Sequence, residues 1–422
     1  MFRLPFLAAA VAVLAALPAL LGTGLLNAAI QMLIAALFAC AYSLLSGRAG
    51  MLSFGHAAYF GAGAFATVHA MNALGGAGLL PTPLLPLVGA AMGLVVGIVA
   101  GWFATQRAGT AFSMITLAIA ELLHALAPQL KGWFGGESGI PAMRMPAWGL
   151  NFGSTQQVYY LTLAWVLLAL AALYFHGTTP MGRLTLGLRE NAHRLKFLGY
   201  DVHRLGVSAF AISSMFSGLA GGLQAINNEA VNYVVFDAGV SASVVLNSYI
   251  GGVGTFLGPA LGAALMTFFG YMLSDVTQSW LLYQGVLFVL VMMFMPEGLA
   301  GLFASTARLA RAHGAAAVLP VALLAVACAL LLAAGFSFLV EMTQRLCSQD
   351  YRALAASAAS WPAVTVFGRA WLPAAASTWA VPLGLLGVGA VLGLQARRLR
   401  GALGQRMAGD AAMPLAAREG HS

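Results

Sequence analysis

Lysine is nearly absent. Lys131 and Lys196 are the only two in 422 residues, and the other 18 basic residues are arginines. A P-loop needs a Gly-Lys-Ser/Thr step to hold nucleotide phosphates. Neither lysine follows a glycine, so the chain carries no ATP-hydrolysing motif of that kind. Charge of either sign is scarce, at 8% of residues, where an average soluble domain has about 25%. Disorder needs high charge with low hydrophobicity, so a disordered chain is excluded. Cysteine is scarce as well. Cys40, Cys328 and Cys347 lie far apart with no zinc or haem spacing. Cys40 and Cys328 sit in apolar runs and are expected to be small core residues, while Cys347 sits in a polar stretch as a free thiol. The eight histidines are scattered, with no His-Glu-x-x-His or paired aspartates beside them. A membrane-embedded enzyme would need such a cluster.

What fills the chain instead is apolar: 61% hydrophobic residues and a mean hydropathy of +0.88. A soluble fold cannot hide that much apolar surface. The fold class is therefore all-α, a polytopic transmembrane protein. Twelve candidate spans fall near 4–22, 25–45, 54–73, 84–104, 111–130, 156–176, 205–228, 238–252, 256–274, 279–302, 315–340 and 380–396. The eighth is too short to cross alone and ends in Gly251-Gly252-Val253-Gly254, so it reads as half of a broken helix and leaves about 10–12 spans. With the N-terminus in the cytoplasm, the inside segments hold 15 Lys and Arg residues and the outside segments hold 5. Cytoplasmic loops carry such an excess, which supports this topology and places both termini inside. The net charge of +8 is then a membrane signature, and nucleic acid is not expected as a partner. The first span is expected to be retained; a cleaved signal peptide is the alternative.

Three segments are neither ordinary span nor ordinary loop. The first runs Ser46-Gly47-Arg48-Ala49-Gly50-Met51-Leu52-Ser53-Phe54-Gly55-His56. Dense glycine at a span start permits close backbone approach or a re-entrant break that lines a pathway; small-residue helix packing explains it equally well. His56 is an ionisable group there, functional if deep in the membrane, solvated if interfacial. The second is Gly251-Gly252-Val253-Gly254-Thr255 with Gly258-Pro259, the same character repeated, with proline at a helix start. The third, 177–204, is the most charged stretch. Leu184, Leu188, Leu195 and Leu198 recur near helical spacing with arginines between them, giving one or two short amphipathic helices closed by Gly199. Anchoring to anionic lipid and docking of a cytoplasmic partner both fit that composition.

Together these segments resemble the high-affinity branched-chain amino-acid permeases of ABC importers (the Liv type), specifically the M-type subunit. The resemblance also runs through Phe112-Ser113-Met114-Ile115-Thr116-Leu117-Ala118, Gly135-Gly136-Glu137-Ser138-Gly139-Ile140, Arg189-Glu190-Asn191 with Arg194, Leu198-Gly199-Tyr200-Asp201, Ser217-Gly218-Leu219-Ala220-Gly221 and Met295-Pro296-Glu297-Gly298-Leu299. It covers about 25–303. It implies a permease core over 1–303 that pairs with an H-type permease, two ABC ATPase subunits beneath, and a periplasmic binding protein delivering substrate, in a bacterial inner membrane. ATP and Mg would then sit on the partners, with no cofactor on this chain. Arg189, Glu190, Asn191, Arg194 and Gly199 match the family's ATPase-coupling loop. Ser53, Gly55, His56, Glu121, Gly251, Gly252 and Gly254 are candidates for the translocation path. Gly135, Gly136, Glu137 and Ser138 are candidates for periplasmic contact.

Glu121 lies within the fifth span as a pathway or helix-pairing group. Glu229 and Asp237 flank the outer end of the seventh and are expected to be solvated. Relatives of this type end soon after the segment matching Pro296-Glu297-Gly298-Leu299. Here 304–422 follow as an extension with two more spans and an outer loop bearing Trp361, Trp371 and Trp379, which suit a membrane interface. Its tail after Arg406 is expected to be disordered. The competing function is a stand-alone secondary transporter or channel for a small polar solute. That class expects buried charge in several spans, and only Glu121 and His56 qualify.

Overall fold

The structure is a computed structural model. It describes residues 4–75, 78–275, 277, 279–295, 297–357 and 361–419. Arg3, counted among the inside charges, and Pro296 of the Met-Pro-Glu-Gly motif lie outside the described residues.

The chain is helical throughout. In order come α1 (Leu4–Leu20), α2 (Thr23–Ser43) prolonged by a π turn over Leu44–Arg48, α3 (His56–Ala70) with a second π turn over Met71–Gly75, and α4 (Pro86–Ala104). Next are α5 (Thr110–Leu126), the single turn α6 (Lys131–Phe134), α7 (Thr155–Thr178), α8 (Pro180–Phe197) and α9 (Val202–Asn228). Then follow α10 (Ala238–Gly251), α11 (Gly258–Ser274), α12 (Trp280–Phe294), α13 (Gly298–His313), α14 (Ala315–Cys347), α15 (Gln349–Ser357) and α16 (Ala376–Glu419). The described residues also hold two 3₁₀ turns, Thr82–Leu84 and Tyr233–Phe236, and two antiparallel two-stranded pieces: β1 (Ile140–Pro141) with β2 (Ala230–Val231), and β3 (Val364–Val366) with β4 (Arg369–Trp371). Four helix starts carry side-chain caps. Ser154 accepts from Gln157 N–H, Thr179 from Gly182, Asp201 from Arg204 and Asp237 from Gly239, each satisfying a backbone donor the helix leaves orphaned.

A helix stands at each of the twelve expected spans, but not all are long. Six helical runs among the described residues are long and apolar enough to cross a membrane: Thr23–Arg48, Thr82–Ala104, Thr155–Thr178, Val202–Asn228, Leu319–Cys347 and Ala376–Leu399. The bent pair Trp280–Met293 and Gly298–Arg308 makes a seventh if it is one span. Ala8–Leu20, Thr110–Leu126 and Gly258–Ser274 are apolar but shorter. The 14 residues of α10 reach only about 21 Å, less than a hydrocarbon core of about 30 Å.

The contacts form two compact units. One holds residues 1–273 and 284–301, the other 274–283 and 302–422. In the first, α3, α4 and α9 cross on bare backbone. A Cβ added at Gly93 would meet Ser214 O, and one at Gly221 would meet Phe60 O. Such small-residue crossings replace the hydrophobic drive that helices in lipid lack. A second cluster joins α2, α7, α9 and α10 around Leu37, Tyr42, Tyr159 and Val244.

In the second unit, α14 and α16 pair along Gly335 against Leu386 and Gly389 against Leu332. A small core of Phe338, Met342, Tyr351, Val364 and Val366, with Trp371 and Trp379 against it, supports the β3–β4 hairpin. Its turn, Phe367-Gly368, has positive φ at both residues, the form that matches strand twist. The tail expected to be disordered instead continues α16 to Glu419. Residues 406–419 are mostly Ala, Met, Leu, Arg and Glu, strong helix formers, with Gly409 and Pro414 among them as helix-disfavouring residues.

Candidate functional site

Two cavities open into the first unit. The one that the expected topology puts outside, here the outer cavity, is about 450 Å³ and is bounded by Gln31, Ile34 and Phe38 of α2, Phe60 of α3, Gln224 and Asn228 of α9, and Asn232 and Val235 beyond it; the other is the inner cavity. Its floor is the Phe38–Phe60 ring pair, 4.8 Å between centroids. Four amides line the cavity, Gln31, Gln224, Asn228 and Asn232; Gln31 Nε2 lies 3.5 Å from Asn228 Oδ1, which also accepts from Asn227 Nδ2 at 3.1 Å. An apolar floor under a neutral polar rim suits a small amphiphilic solute.

The outer loop is stitched to the end of α9. β1 pairs with β2 at Ile140↔Val231. Glu229, at φ +52, gives its carbonyl to Ala142 N–H and its carboxylate to the Arg144 guanidinium at 3.0 Å. That arginine holds the Glu229 carboxyl below its ordinary pKa. Asp237 caps α10. Neither acid is simply solvated as expected; each does a local structural job that begins on another segment or the next turn.

The inner cavity, about 300 Å³, lies between the C-terminal half of α2, α8 and the glycine break after α10. Here the three unusual segments meet. Arg189 Nη1 donates to Gly47 O at 2.5 Å, and Arg48 Nη1 to Gly177 O at 2.9 Å. A Cβ at Gly47 would lie 2.7 Å from Val253 O, and one at Gly50 would press on the Arg189 stem. The π turn therefore touches both α8 and the break. The break is held open by Gly252, whose φ of +102 suits only glycine, and which packs against Glu297 and Gly298. Along α2 the two cavities sit back to back. Gln31 and Cys40, Ile34 and Ser43, and Ala35 and Leu44 line opposite cavities. Each pair is nine residues, or about two and a half turns, apart.

His56, which lines neither cavity, is fully buried. Its Nε2 meets Ser213 Oγ at 2.8 Å and its Nδ1 meets Ser53 Oγ at 3.0 Å. Ser213 spends its only proton on Ala41 O, so the network assigns the ring proton to Nε2. Tyr42, Tyr59 and Phe210 edge against the ring. Next to it, Ser113 Oγ donates to Leu52 O at 2.5 Å and Thr116 Oγ1 accepts from Phe54 N–H at 3.2 Å. The motifs around 46–58 and 112–118, 60 residues apart in sequence, form one knot.

The family model described as branched-chain amino acid transport system / permease component matches residues 24–296, a stretch that holds both cavities, the knot and α8. The chain belongs to this permease family. It is 26% identical over 318 residues to the high-affinity branched-chain amino acid transport system permease protein LivM of Escherichia coli K12, covering 70% of this chain and 74% of that one. The LivM of Salmonella typhimurium is 27% identical with the same coverage. BraD of Pseudomonas aeruginosa, a permease protein of the same kind of system, is 23% identical over 63% of this chain and 91% of its own length. No solved structure matches. The chain is a multi-pass membrane transport subunit.

The permease's predicted site residues scatter among these features. Ser53, Gly55 and His56 lie in the buried knot, with Gly55 pressed against Thr116 O, so His56 is not an interfacial solvated group. Gly251, Gly252 and Gly254 form the break, and Gly254 lines the inner cavity. Glu121 is apart from both cavities, exposed on the flank of α5. Ser138 lines the outer cavity; Gly135 and Gly136 form the left-handed turns that lead to it, and Glu137 is exposed.

In the 177–204 stretch, α8 is two helices. Asn191, extended at φ −162, breaks it, and its Oδ1 caps the second piece through Arg194 N–H at 3.0 Å. Gly199, at φ +88, closes it, with Tyr200 N–H returning to Leu195 O, a Schellman ending. Glu190 and Arg194 are exposed. Leu198 leaves the expected buried stripe: it and Phe197 stand out at the tip, Phe197 at 91% exposure. Sequence reasoning missed Phe197, Arg183 and the amides Gln31, Gln224, Asn228 and Asn232. Polar residues at the ends of two apolar runs, 200 positions apart, were the available signal for the amides.

Proposed function

We propose that this chain is the membrane permease subunit of an ATP-driven importer for branched-chain or related amino acids, working beside an H-type permease over two ABC ATPases. The reading is carried by one observation: the charged segment 177–204 ends in an exposed apolar tip, and its Arg189 is bonded to the π turn that touches the glycine break. An exposed Phe197-Leu198 pair flanked by Glu190 and Arg194 suits a protein groove better than water. Movement of α8 is transmitted through Arg189 to Gly47 and on to Val253, so a docked ATPase can bias which cavity is open. The outer cavity receives solute from a binding protein that lands on the loop around Gly135–Ser138. Its apolar floor takes an aliphatic side chain and its amides take the polar end. ATP and Mg reside on the ATPases, the second permease completes the path, and both termini face the cytoplasm. A self-contained carrier finds less support, since Glu121 is away from the cavities and His56 is a core hydrogen-bonding group.

Purification of the tagged permease from membranes is expected to bring a second permease and P-loop ATPases with it. Glu190→Arg is expected to weaken ATPase retention about tenfold or more while the second permease stays bound. A chain that purifies alone and transports in liposomes without ATP overturns the reading.

A further inference from the structure

Three arginines line the inner cavity, Arg48, Arg183 and Arg189, and no aspartate or glutamate lines it. A guanidinium carries five N–H donors. Arg48 and Arg189 each spend one on a backbone carbonyl, Gly177 O and Gly47 O. The Arg183 side chain makes no hydrogen bond among the described residues, and the ion pairs found there, Arg144–Glu229 and Arg204–Asp201, involve none of the three. The cavity wall also includes Gly182, in the first turn of α8, where the helix dipole is positive. Arg183 and Arg189 are exposed and Arg48 is half-buried; three like charges on one wall with no acid on it repel one another, and an anion relieves that repulsion.

The composition of the wall narrows the anion. A zwitterionic amino acid would bring an ammonium group that finds no acid here, so the transported class is a poor occupant. Guanidinium forks fit the several oxygens of a phosphate. We propose that the inner cavity is a phosphate-binding site, taking the phosphate of an anionic lipid headgroup or a free phosphate. The charged segment 177–204 lies at the side where basic residues accumulate, the side on which anionic lipids attract Lys and Arg. A bound phosphate would bridge α8 and the π turn and brace the same contact that Arg189 makes. The site stands on these residues and does not depend on the proposed substrate.

The test uses the full-length protein in detergent. Native mass spectrometry compares phosphatidylglycerol with phosphatidylcholine of the same chains, and thermal unfolding is followed with inorganic phosphate. The parent is expected to retain phosphatidylglycerol about tenfold better than phosphatidylcholine, or to be stabilised by inorganic phosphate; the first result assigns the lipid source and the second the free ion. Arg183→Gln is expected to lower the responding affinity about tenfold, Arg183→Lys to lower it less, and Arg107→Gln, an exposed arginine outside the cavity, to leave it unchanged. Melting without ligand checks that each variant is folded. Equal retention of the two lipids together with no response to phosphate overturns the proposal, as does undiminished binding by Arg183→Gln.

Discussion

Two of the long spans, α9 and α14, invert the rule that holds in water. Of the six, α14 is the most hydropathic and only 11% of its apolar window is buried within the chain; α9 is the least hydropathic and 83% of its window is buried. In lipid, leucine gains nothing by leaving one apolar surface for another, so association falls to close backbone approach and hydrogen bonds. α9 supplies both, with Gly218, Gly221 and Gly222 at its crossings and Ser213 bonded to Ala41 O on α2 and to His56 Nε2 on α3. α14 has Leu319, Leu323, Val326 and Leu330 turned outward. Between these two spans, burial follows small and polar residues, and the more hydropathic one is the one left largely uncovered by the chain.

The comparison is broken most forcefully by adding bulk. Gly221→Leu drives a side chain into Phe60 O on α3 and is expected to cost more than about 3 kcal/mol, removing the monodisperse peak in size-exclusion chromatography. Gly387→Leu in α16 meets nothing within 4 Å and is expected to stay within about 0.5 kcal/mol of the parent. Equal outcomes would refute the distinction.

A middling effect is expected in the buried polar knot. His56→Ala leaves Ser53 and Ser213 without their partner and opens a void, at a cost of about 2–3 kcal/mol, seen as a lower thermal midpoint. An unchanged midpoint would mean that the hydrogen bonds contribute little.

The smallest effect lies outside the spans. Glu229 has its pKa depressed by Arg144, so its contribution is full above the ordinary carboxyl value of about 4.3 and fades as pH falls through the lowered one. The pair is partly exposed and worth under about 1 kcal/mol. Glu229→Gln should lower the melting midpoint slightly at pH 7 and match the parent at the acid end; a difference that grows on acidification would reverse the sign assigned here.

Local signals carried most of the fold into the sequence. The break at Gly251–Gly254, the closing role of Gly199 and the helices of 177–204 all follow from glycine and leucine spacing within a few turns. The apolar count located a helix at every expected span but not its length, because a short buried helix and a membrane-crossing one share composition. What escaped was pairwise and distant. Sequence alone leaves His56 between a deep functional group and a solvated interfacial one, because its partner Ser213 is 157 residues away. Glu229 looked free because Arg144 is 85 residues away. Leu198 reads as part of an amphipathic stripe, and Phe197 escapes notice, because the turn at Asn191, which ends that face, depends on one asparagine serving as a cap. The function was legible in the order of motifs, while the wiring between them through Arg48 and Arg189 needed three dimensions.

The back-to-back placement of the cavities on α2 explains a silence in the sequence. A helix bordering water on one side shows a single polar stripe. α2 borders one hollow with Gln31 and Ile34 and the other with Cys40 and Ser43, on faces half a turn apart. Both lining faces of α2 are mostly apolar, so the helix reads as uniformly greasy although it is a wall with a room on either side.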